Sequence, residues 1–177
     1  MSKALFCIDM QVDHFPMGML EVENSSELPS AINARRKEFQ HVYFLKAFYP
    51  ADHIRFAGNH LWRKPGAEIE LKGQPVHLYP MYCIESSWGG ELHPQLQKKD
   101  SDMQVSRGSD PSNNPINLWE DPKFLLDLKR AGIEEIEFSG ILIEQKIIKD
   151  SIDQLESNGF IVHLNKALTR SKLLPYF

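Results

Sequence analysis

The amino-acid sequence predicts a three-layer α/β/α fold with a mostly parallel sheet of about five strands. Short apolar runs alternate with amphipathic segments along the chain, which is the order of strands and helices in such a sheet. Gly132 and Gly159 each follow an amphipathic segment, at the position where a helix commonly ends in a left-handed glycine. The 177 residues, 42% of them hydrophobic, suffice for one domain with its own core.

The predicted strands are short apolar runs that end in a polar residue, a glycine or an asparagine. They are Ala4 to Asp9, His41 to Phe48, Met103 to Arg107, Ile133 to Gly140 and Phe160 to Asn165.

The predicted helices are the amphipathic segments between these runs. They are Ser26 to Phe39, a short one near Glu91 to Lys98, Asp121 to Ala131 and Glu144 to Asn158. The last has one apolar face, which we expect to pack on the sheet. That face comprises Ile147, Ile148, Ile152 and Leu155.

Residues 49–102 form the long exception, since they show little periodicity and are rich in His, Trp, Tyr, Pro and Gly. Loops of this length in compact domains are often lids or binding insertions, and the aromatic content favours an ordered one. We therefore predict a single domain over residues 1–177 with an irregular insertion at about 49–102.

Composition excludes several classes of function. The formal net charge of −4 and the absence of a basic arm argue against nucleic-acid binding. The first apolar run, Ala4 to Ile8, is too short for a membrane span and meets Asp9 at once. Cys7 and Cys83 lie far apart without metal-ligand spacing, so we expect two free thiols in a cytoplasmic protein.

Several irregular segments, in the right order, carry a resemblance to a known family. Ala4 to Asp13 ends in Asp-x-Gln-x-Asp, like the first strand of the isochorismatase-like cysteine hydrolases. Phe48 to His60 resembles the nicotinamidase pattern Trp-His-Pro-x-x-His-x-Ser-Phe-Ala-x-Asn-His. Leu78 to Cys83, followed by Ser87-Trp88-Gly89, resembles Leu-Trp-Pro-x-His-Cys with its Thr-Trp-Gly. With Ser139 to Lys146 the resemblance covers nearly the whole chain, and it implies the strand order 3-2-1-4-5.

The resemblance implies a catalytic triad of Asp, Lys and Cys, of which this chain keeps only the first residue. Asp9 is retained, Arg107 stands in the Lys position and Lys146 replaces the thiol. Acylation of a lysine would give a stable amide, so turnover by the family route is excluded. Two other routes are a Schiff base at Lys146, its pKa depressed by Arg107, and Cys83 as a substitute nucleophile. No base stands near Cys83 in the sequence.

The resemblance also implies a metal ion held by one Asp and two His residues. Their positions are Ala47, Tyr49 and Tyr82, and none of these is a good ligand for a divalent ion. His53 is retained, but with His14 and His60 it makes no metal spacing. We therefore expect neither a metal nor any other cofactor.

The strand order implied by the resemblance brings Asp9, Arg107, Leu142 and Lys146 to one crevice at the carboxyl edge of the sheet. There we expect an ion pair between Asp9 and Lys146, with Arg107 approaching the same carboxylate. The three charges either neutralise one another in a filled crevice or leave room for an anion. From the resemblance we also expect a cis peptide bond between Ile141 and Leu142.

Two functions fit these observations. The first is a non-catalytic relative of nicotinamidases that binds a small anionic molecule or a protein partner. The alternative is a divergent hydrolase that acts on an amide or a related small molecule through unidentified residues. The chain stops soon after the fifth strand and ends in apolar residues, so we also expect a homo-oligomer or a protein partner at that edge. Those residues are Leu173, Leu174, Tyr176 and Phe177.

Overall fold

A five-stranded parallel sheet runs through the computed structural model, which describes residues 2–172. Its strands are β1 (Ser2–Ile8), β2 (His41–Ala47), β5 (Met103–Arg107), β6 (Ile133–Ile141) and β7 (Ile161–Arg170). Their order is β5-β2-β1-β6-β7, and every neighbouring pair is parallel. Numbered among these five strands alone, this is 3-2-1-4-5, so the predicted fold class and strand order are confirmed.

Helices cover both faces of the sheet, as the alternation of side chains along β1 requires. The helices are α1 (Leu28–Arg35), α2 (Phe124–Arg130) and α3 (Gln145–Ser157). On one face Leu5 and Cys7 pack in a cluster that includes α1. On the other face Phe6 and Ile8 pack in a cluster that includes α2 and α3. These are the three predicted layers.

The predicted helix near Glu91 to Lys98 is wrong, since no helix forms there. Its backbone is already bonded to the segment that follows β1. Leu92 bridges to Gln11, and the His93 amide donates to the carbonyl of Met10 at 2.8 Å. Pro94 also lacks the amide hydrogen that a helix interior needs.

The irregular region 49–102 contains one antiparallel hairpin, made of β3 (Glu68–Leu71) and β4 (Gln74–His77). Isolated bridges between Tyr49 and Ile84 and between Phe56 and Tyr79 tie the remainder together. The region is ordered by these contacts rather than by periodic structure.

The last strand of the sheet is longer than the sequence predicts. β7 continues to Arg170 because its end pairs with the end of β6, after a register shift between Phe138 and Gly140. The expected docking residues at 173–177 lie outside the described residues. Within residues 2–172 no helix is long and apolar enough to cross a bilayer.

Gly140 is a position where the packing of the sheet leaves no room for a side chain. It has φ of +105°, and a Cβ there would overlap the carbonyl oxygen of Ile8 on the neighbouring strand. Gly159 has φ of +90° but nothing within 4 Å of its would-be Cβ. We expect Gly159→Ala to lower the free energy of unfolding by about 1 to 2 kcal/mol, from the left-handed backbone alone. Gly140→Ala should cost about 1 to 3 kcal/mol more, because it adds a steric overlap.

Urea titration at constant slope measures both losses. Equal losses for the two variants would contradict the close approach of β6 to β1.

Candidate active site

The carboxyl edge of the sheet holds a buried group of four charged side chains, which we call the charge cluster: Asp9, Arg55, Arg107 and Glu144. Asp9 follows β1, Arg107 ends β5 and Glu144 lies between β6 and α3. These are the strand ends at which an open parallel sheet places its ligands. Arg55 comes instead from the irregular region and reaches the same point.

Asp9 and Arg107 form a bidentate ion pair. The guanidinium Nη1 of Arg107 donates to Oδ1 of Asp9 at 2.7 Å, and its Nη2 donates to Oδ2 at 2.6 Å. Arg107 is wholly buried. A bidentate pair of charge-assisted hydrogen bonds is among the stronger polar interactions in proteins, and it fixes the orientation of both side chains.

Glu144 joins the two arginines. Its Oε2 accepts a bond from Arg55 Nη2 at 2.7 Å, while its Oε1 accepts weaker bonds from Arg55 Nη1 at 3.3 Å and Arg107 Nη2 at 3.2 Å. Two carboxylates therefore face two guanidinium groups. The formal charges of the cluster cancel without any ligand.

Three tyrosine rings surround the guanidinium group of Arg55. Its carbon lies 4.7 Å from the ring centroid of Tyr49, 4.2 Å from that of Tyr79 and 5.8 Å from that of Tyr82. A desolvated cation is stabilised by the faces of aromatic rings. The hydroxyls of Tyr49 and Tyr82 also donate to Oε1 of Glu144, at 3.2 and 2.9 Å.

These contacts set the protonation states of the cluster. Burial by itself raises the pKa of Glu144, but the facing guanidinium groups of Arg55 and Arg107 outweigh it and hold that pKa well below its usual range. Burial raises the pKa of Tyr82 well above its ordinary value. At neutral pH, Glu144 is therefore ionised and Tyr82 protonated.

The expected ion pair between Lys146 and Asp9 is wrong. Lys146 lies in the first turn of α3 with a side chain that is 87% exposed, and its Nζ pairs with Asp150 four residues on, at 2.5 Å. On the outer face of the helix a lysine avoids the desolvation cost of burial. Glu144 and Arg55 take the place inside the crevice instead.

The crevice also lacks two other expected features. Leu142 packs in the apolar cluster of the α2 and α3 face. Within residues 2–172 no peptide bond is cis, so the expected cis bond after Ile141 is wrong.

The positions that the resemblance assigns to a metal ion do not fit one. The backbone of Ala47 forms two hydrogen bonds with the side-chain amide of Gln11. Its carbonyl accepts from Nε2 at 2.7 Å, and its N–H donates to Oε1 at 2.8 Å. Tyr49 and Tyr82 direct their hydroxyls at Glu144, and Arg55 places a cation among them. Residues 2–172 contain no group of three acidic, His or Cys side chains that could hold a metal.

His53, the histidine that the sequence retains, is buried and has a structural contact. Its Nδ1 accepts the backbone amide of Arg55 at 3.2 Å. Burial lowers the pKa of His53 to about 4, with the positive charge of Arg55 acting in the same direction. The ring is therefore neutral and helps to hold the backbone of Arg55.

A base missed by the sequence reasoning lies beside Cys83. The Sγ atom is 3.5 Å from Nε2 of His14, and both residues are wholly buried. Burial raises the pKa of the Cys83 thiol well above its ordinary value and lowers that of His14. The pair is a neutral thiol beside a neutral ring, closed to substrate, and it does not supply an activated nucleophile.

Arg55 and Glu144 are the site residues that the sequence reasoning missed. Arg55 had a signal, since it stands where the nicotinamidase pattern has a serine. Tyr49 and Tyr82 stand where that pattern has His, and Tyr79 stands where it has Trp, so a new positive charge coincides with three tyrosines, two of which replace metal-ligating histidines. Such a joint change predicts a cation held by aromatic faces.

The charge cluster should be sensitive to the loss of one partner. Glu144→Gln leaves the guanidinium group of Arg55 buried without its main counter-charge, and breaking a buried pair costs about 3 to 5 kcal/mol. Asp150→Asn, which removes the exposed partner of Lys146, should cost about 0 to 1 kcal/mol. Urea unfolding at pH 7 compares the two. A Glu144→Gln loss as small as that of Asp150→Asn would show that the cluster does not contribute to stability.

Acid should remove the same contribution. Because folding lowers the pKa of Glu144 below its ordinary value of 4.5, its contribution is complete above that value and is lost as the pH falls below it. The difference in unfolding free energy between wild type and Glu144→Gln should be constant from about pH 5 to about pH 8 and should shrink below about pH 4.5. Urea titrations across this range measure it. A difference that grows on acidification would contradict the ionised state of Glu144.

The chain is similar in sequence to nicotinamidases. It is 30% identical over 167 residues to a nicotinamidase of Acinetobacter baylyi, covering 90% of this chain and 78% of that protein. It is 27% identical over 164 residues to a nicotinamidase of Escherichia coli, covering 87% of this chain and 76% of that protein. No family model matches.

Solved structures agree in fold. A nicotinamidase from Acinetobacter baumanii superposes with a TM-score of 0.88 at 22% identity, covering 99% of this chain and 87% of that one. The yeast nicotinamidase bound to the inhibitor nicotinaldehyde superposes with a TM-score of 0.81 at 21% identity, covering 96% and 88%. By the extent and identity of its sequence match to the Acinetobacter baylyi enzyme, the chain belongs to the nicotinamidase branch of the isochorismatase-like hydrolase superfamily.

Proposed function

We propose that this protein is a non-catalytic member of the nicotinamidase branch that acts by binding a ligand. The observation that carries the proposal is the charge cluster. Side chains of this chain fill the end of the crevice, and the carboxylates and guanidinium groups satisfy one another. A substrate amide would have to break that buried network to reach Asp9.

The lost nucleophile supports the same conclusion. The residue in the thiol position, Lys146, is exposed and paired with Asp150, with no described contact to Asp9. A Schiff-base role needs a lysine with a depressed pKa, which comes from burial or a nearby cation. The exposure of Lys146 supplies neither.

The position of Arg55 also supports a non-catalytic function. Its guanidinium group lies among the residues in the metal-ligand positions, where it brings a permanent positive charge. An arginine cannot coordinate and activate a water molecule as a metal ion does, so it replaces the charge of a metal ion and not its Lewis-acid chemistry.

A reduced compartment suits this protein. Cys7 and Cys83 are both free and buried. Disulfides are rare in the cytosol, so a cytoplasmic location is part of the proposal.

We expect no release of ammonia from nicotinamide by the purified protein, with or without added zinc, iron or manganese. The Lys146→Cys variant should stay inactive, because the new thiol would lie at an exposed position outside the charge cluster. An ammonia-coupled assay measures both, with the Acinetobacter baylyi nicotinamidase as the positive control.

Turnover of nicotinamide in proportion to the concentration of this protein would overturn the proposal. The same assay with a panel of other small amides tests the divergent hydrolase. Activity that is abolished by Asp9→Asn would establish that alternative.

A further inference from the structure

A groove of about 640 Å³ adjoins the filled crevice. One wall is the hairpin of β3 and β4, another is the loop 113–116, and a third is the first turn of α3. Arg55, Tyr79 and Glu144 also line it, so the groove borders the outer side of the charge cluster. Its volume lies within the range of about 300 to 1,000 Å³ that is typical of small-molecule sites.

Apolar side chains make up much of the wall. They come from all three parts of the structure that form the groove. They are Leu71, Val76, Ile116, Ile143 and Ile147. Ile116 is 73% exposed, so its apolar surface is available to a ligand in the groove. This lining suits a ligand with an apolar body.

The rim of the groove carries more positive than negative charge. Three lysines line the rim: Lys72, Lys146 and Lys172. Outside the charge cluster, the acidic residue that lines the groove is Asp150. Lys72 is bonded to the amide oxygen of Asn113, and Lys172 to the backbone carbonyl of Glu21 at 2.8 Å. Because both acceptors are neutral, these bonds leave the charges of the two lysines in place.

The start of α3 adds donors on the same wall. Glu144 is in the N-cap position, but its side chain turns inward to the arginines and makes no cap hydrogen bond. Uncapped amides at the start of a helix favour a negative group. Arg55, which is 1% exposed, borders the groove, and its Nε has no hydrogen-bond partner within residues 2–172.

We propose that the groove binds an organic anion with an apolar body, its acidic group held by Lys72, Lys146 and the first turn of α3. The inference rests on the proposed non-catalytic function, since it names the class of ligand bound beside the filled crevice. The apolar wall accounts for the body of the ligand and the lysines for its charge. An inorganic anion would leave the apolar wall uncovered, and a neutral molecule would leave Lys72 and Lys172 without a counter-charge.

The test uses two fluorescent probes of similar shape with the full chain. The anion 8-anilinonaphthalene-1-sulfonate should bind saturably at one site. The neutral N-phenyl-1-naphthylamine should bind about tenfold more weakly, which corresponds to about 1.4 kcal/mol. Added salt should weaken the binding of the anion, because the lysines are exposed.

Charge reversal on one helix provides a matched pair of variants. Lys146→Glu should weaken the binding of the sulfonate by about tenfold. Lys149→Glu is the control, since Lys149 is exposed on the same helix, pairs with Asp153 at the same spacing and lies outside the groove. It should bind like wild type. Lys72→Glu, on the hairpin, gives an independent test with the same expected loss.

A second matched pair of variants tests the apolar wall of the groove. Ile116→Ser should weaken the binding of both probes, because it removes exposed apolar surface from the groove. Leu61→Ser is the control, since Leu61 is 86% exposed and lies outside the groove. Thermal unfolding of each variant within the range of wild type excludes probe binding to partly folded protein.

Three outcomes would overturn the inference: no saturable binding of the sulfonate, equal binding of the neutral probe, or equal effects of Lys146→Glu and Lys149→Glu. Displacement of the sulfonate by an equal concentration of inorganic sulfate would also overturn it, since the apolar body would then be irrelevant. None of these outcomes bears on ammonia release, so a failure here is distinguishable from a failure of the proposed function.

Discussion

The carboxylate of Glu144 is the group on which the arrangement of the crevice depends. It accepts hydrogen bonds from two buried guanidinium groups and from the hydroxyls of Tyr49 and Tyr82. Two guanidinium groups that are buried away from water need two carboxylates as counter-charges. Both carboxylate oxygens of Asp9 already accept hydrogen bonds from Arg107, so Glu144 supplies the second carboxylate. Without Glu144, Arg55 would be a buried charge with no counter-charge, a state that proteins avoid.

The changes from the family pattern are coupled through this carboxylate. A tyrosine in place of a histidine removes a metal ligand but offers an aromatic face and a hydroxyl. Tyr49 and Tyr82 use the face to hold Arg55 and the hydroxyl to hold Glu144. Arg55 then supplies the positive charge. Together the substituted residues form a filled, electrically neutral interior.

The carboxyl edge of the sheet is therefore divided into a closed inner part and an open outer part. Glu144 belongs to both, because its side chain turns inward while the next residues begin α3 along the groove. An ordinary capping residue would have covered the start of the helix. Turning that side chain into the core stabilises the arginines, while Lys146 stays at the open surface.

The sequence by itself determined the fold class and the five strands, because strand periodicity is a local signal. The strand order, and with it the placement of Asp9 and Arg107 at one edge, followed from the family resemblance that the collinear motifs carry. Which cation meets which carboxylate was decided by the tertiary structure. Glu144, immediately before α3, turns inward and Lys146, in the first turn of the helix, faces outward, a difference that the sequence of these nearby charged residues does not reveal. Arg55 comes from an irregular region without periodicity, so only long-range packing against three tyrosines brings it beside Glu144.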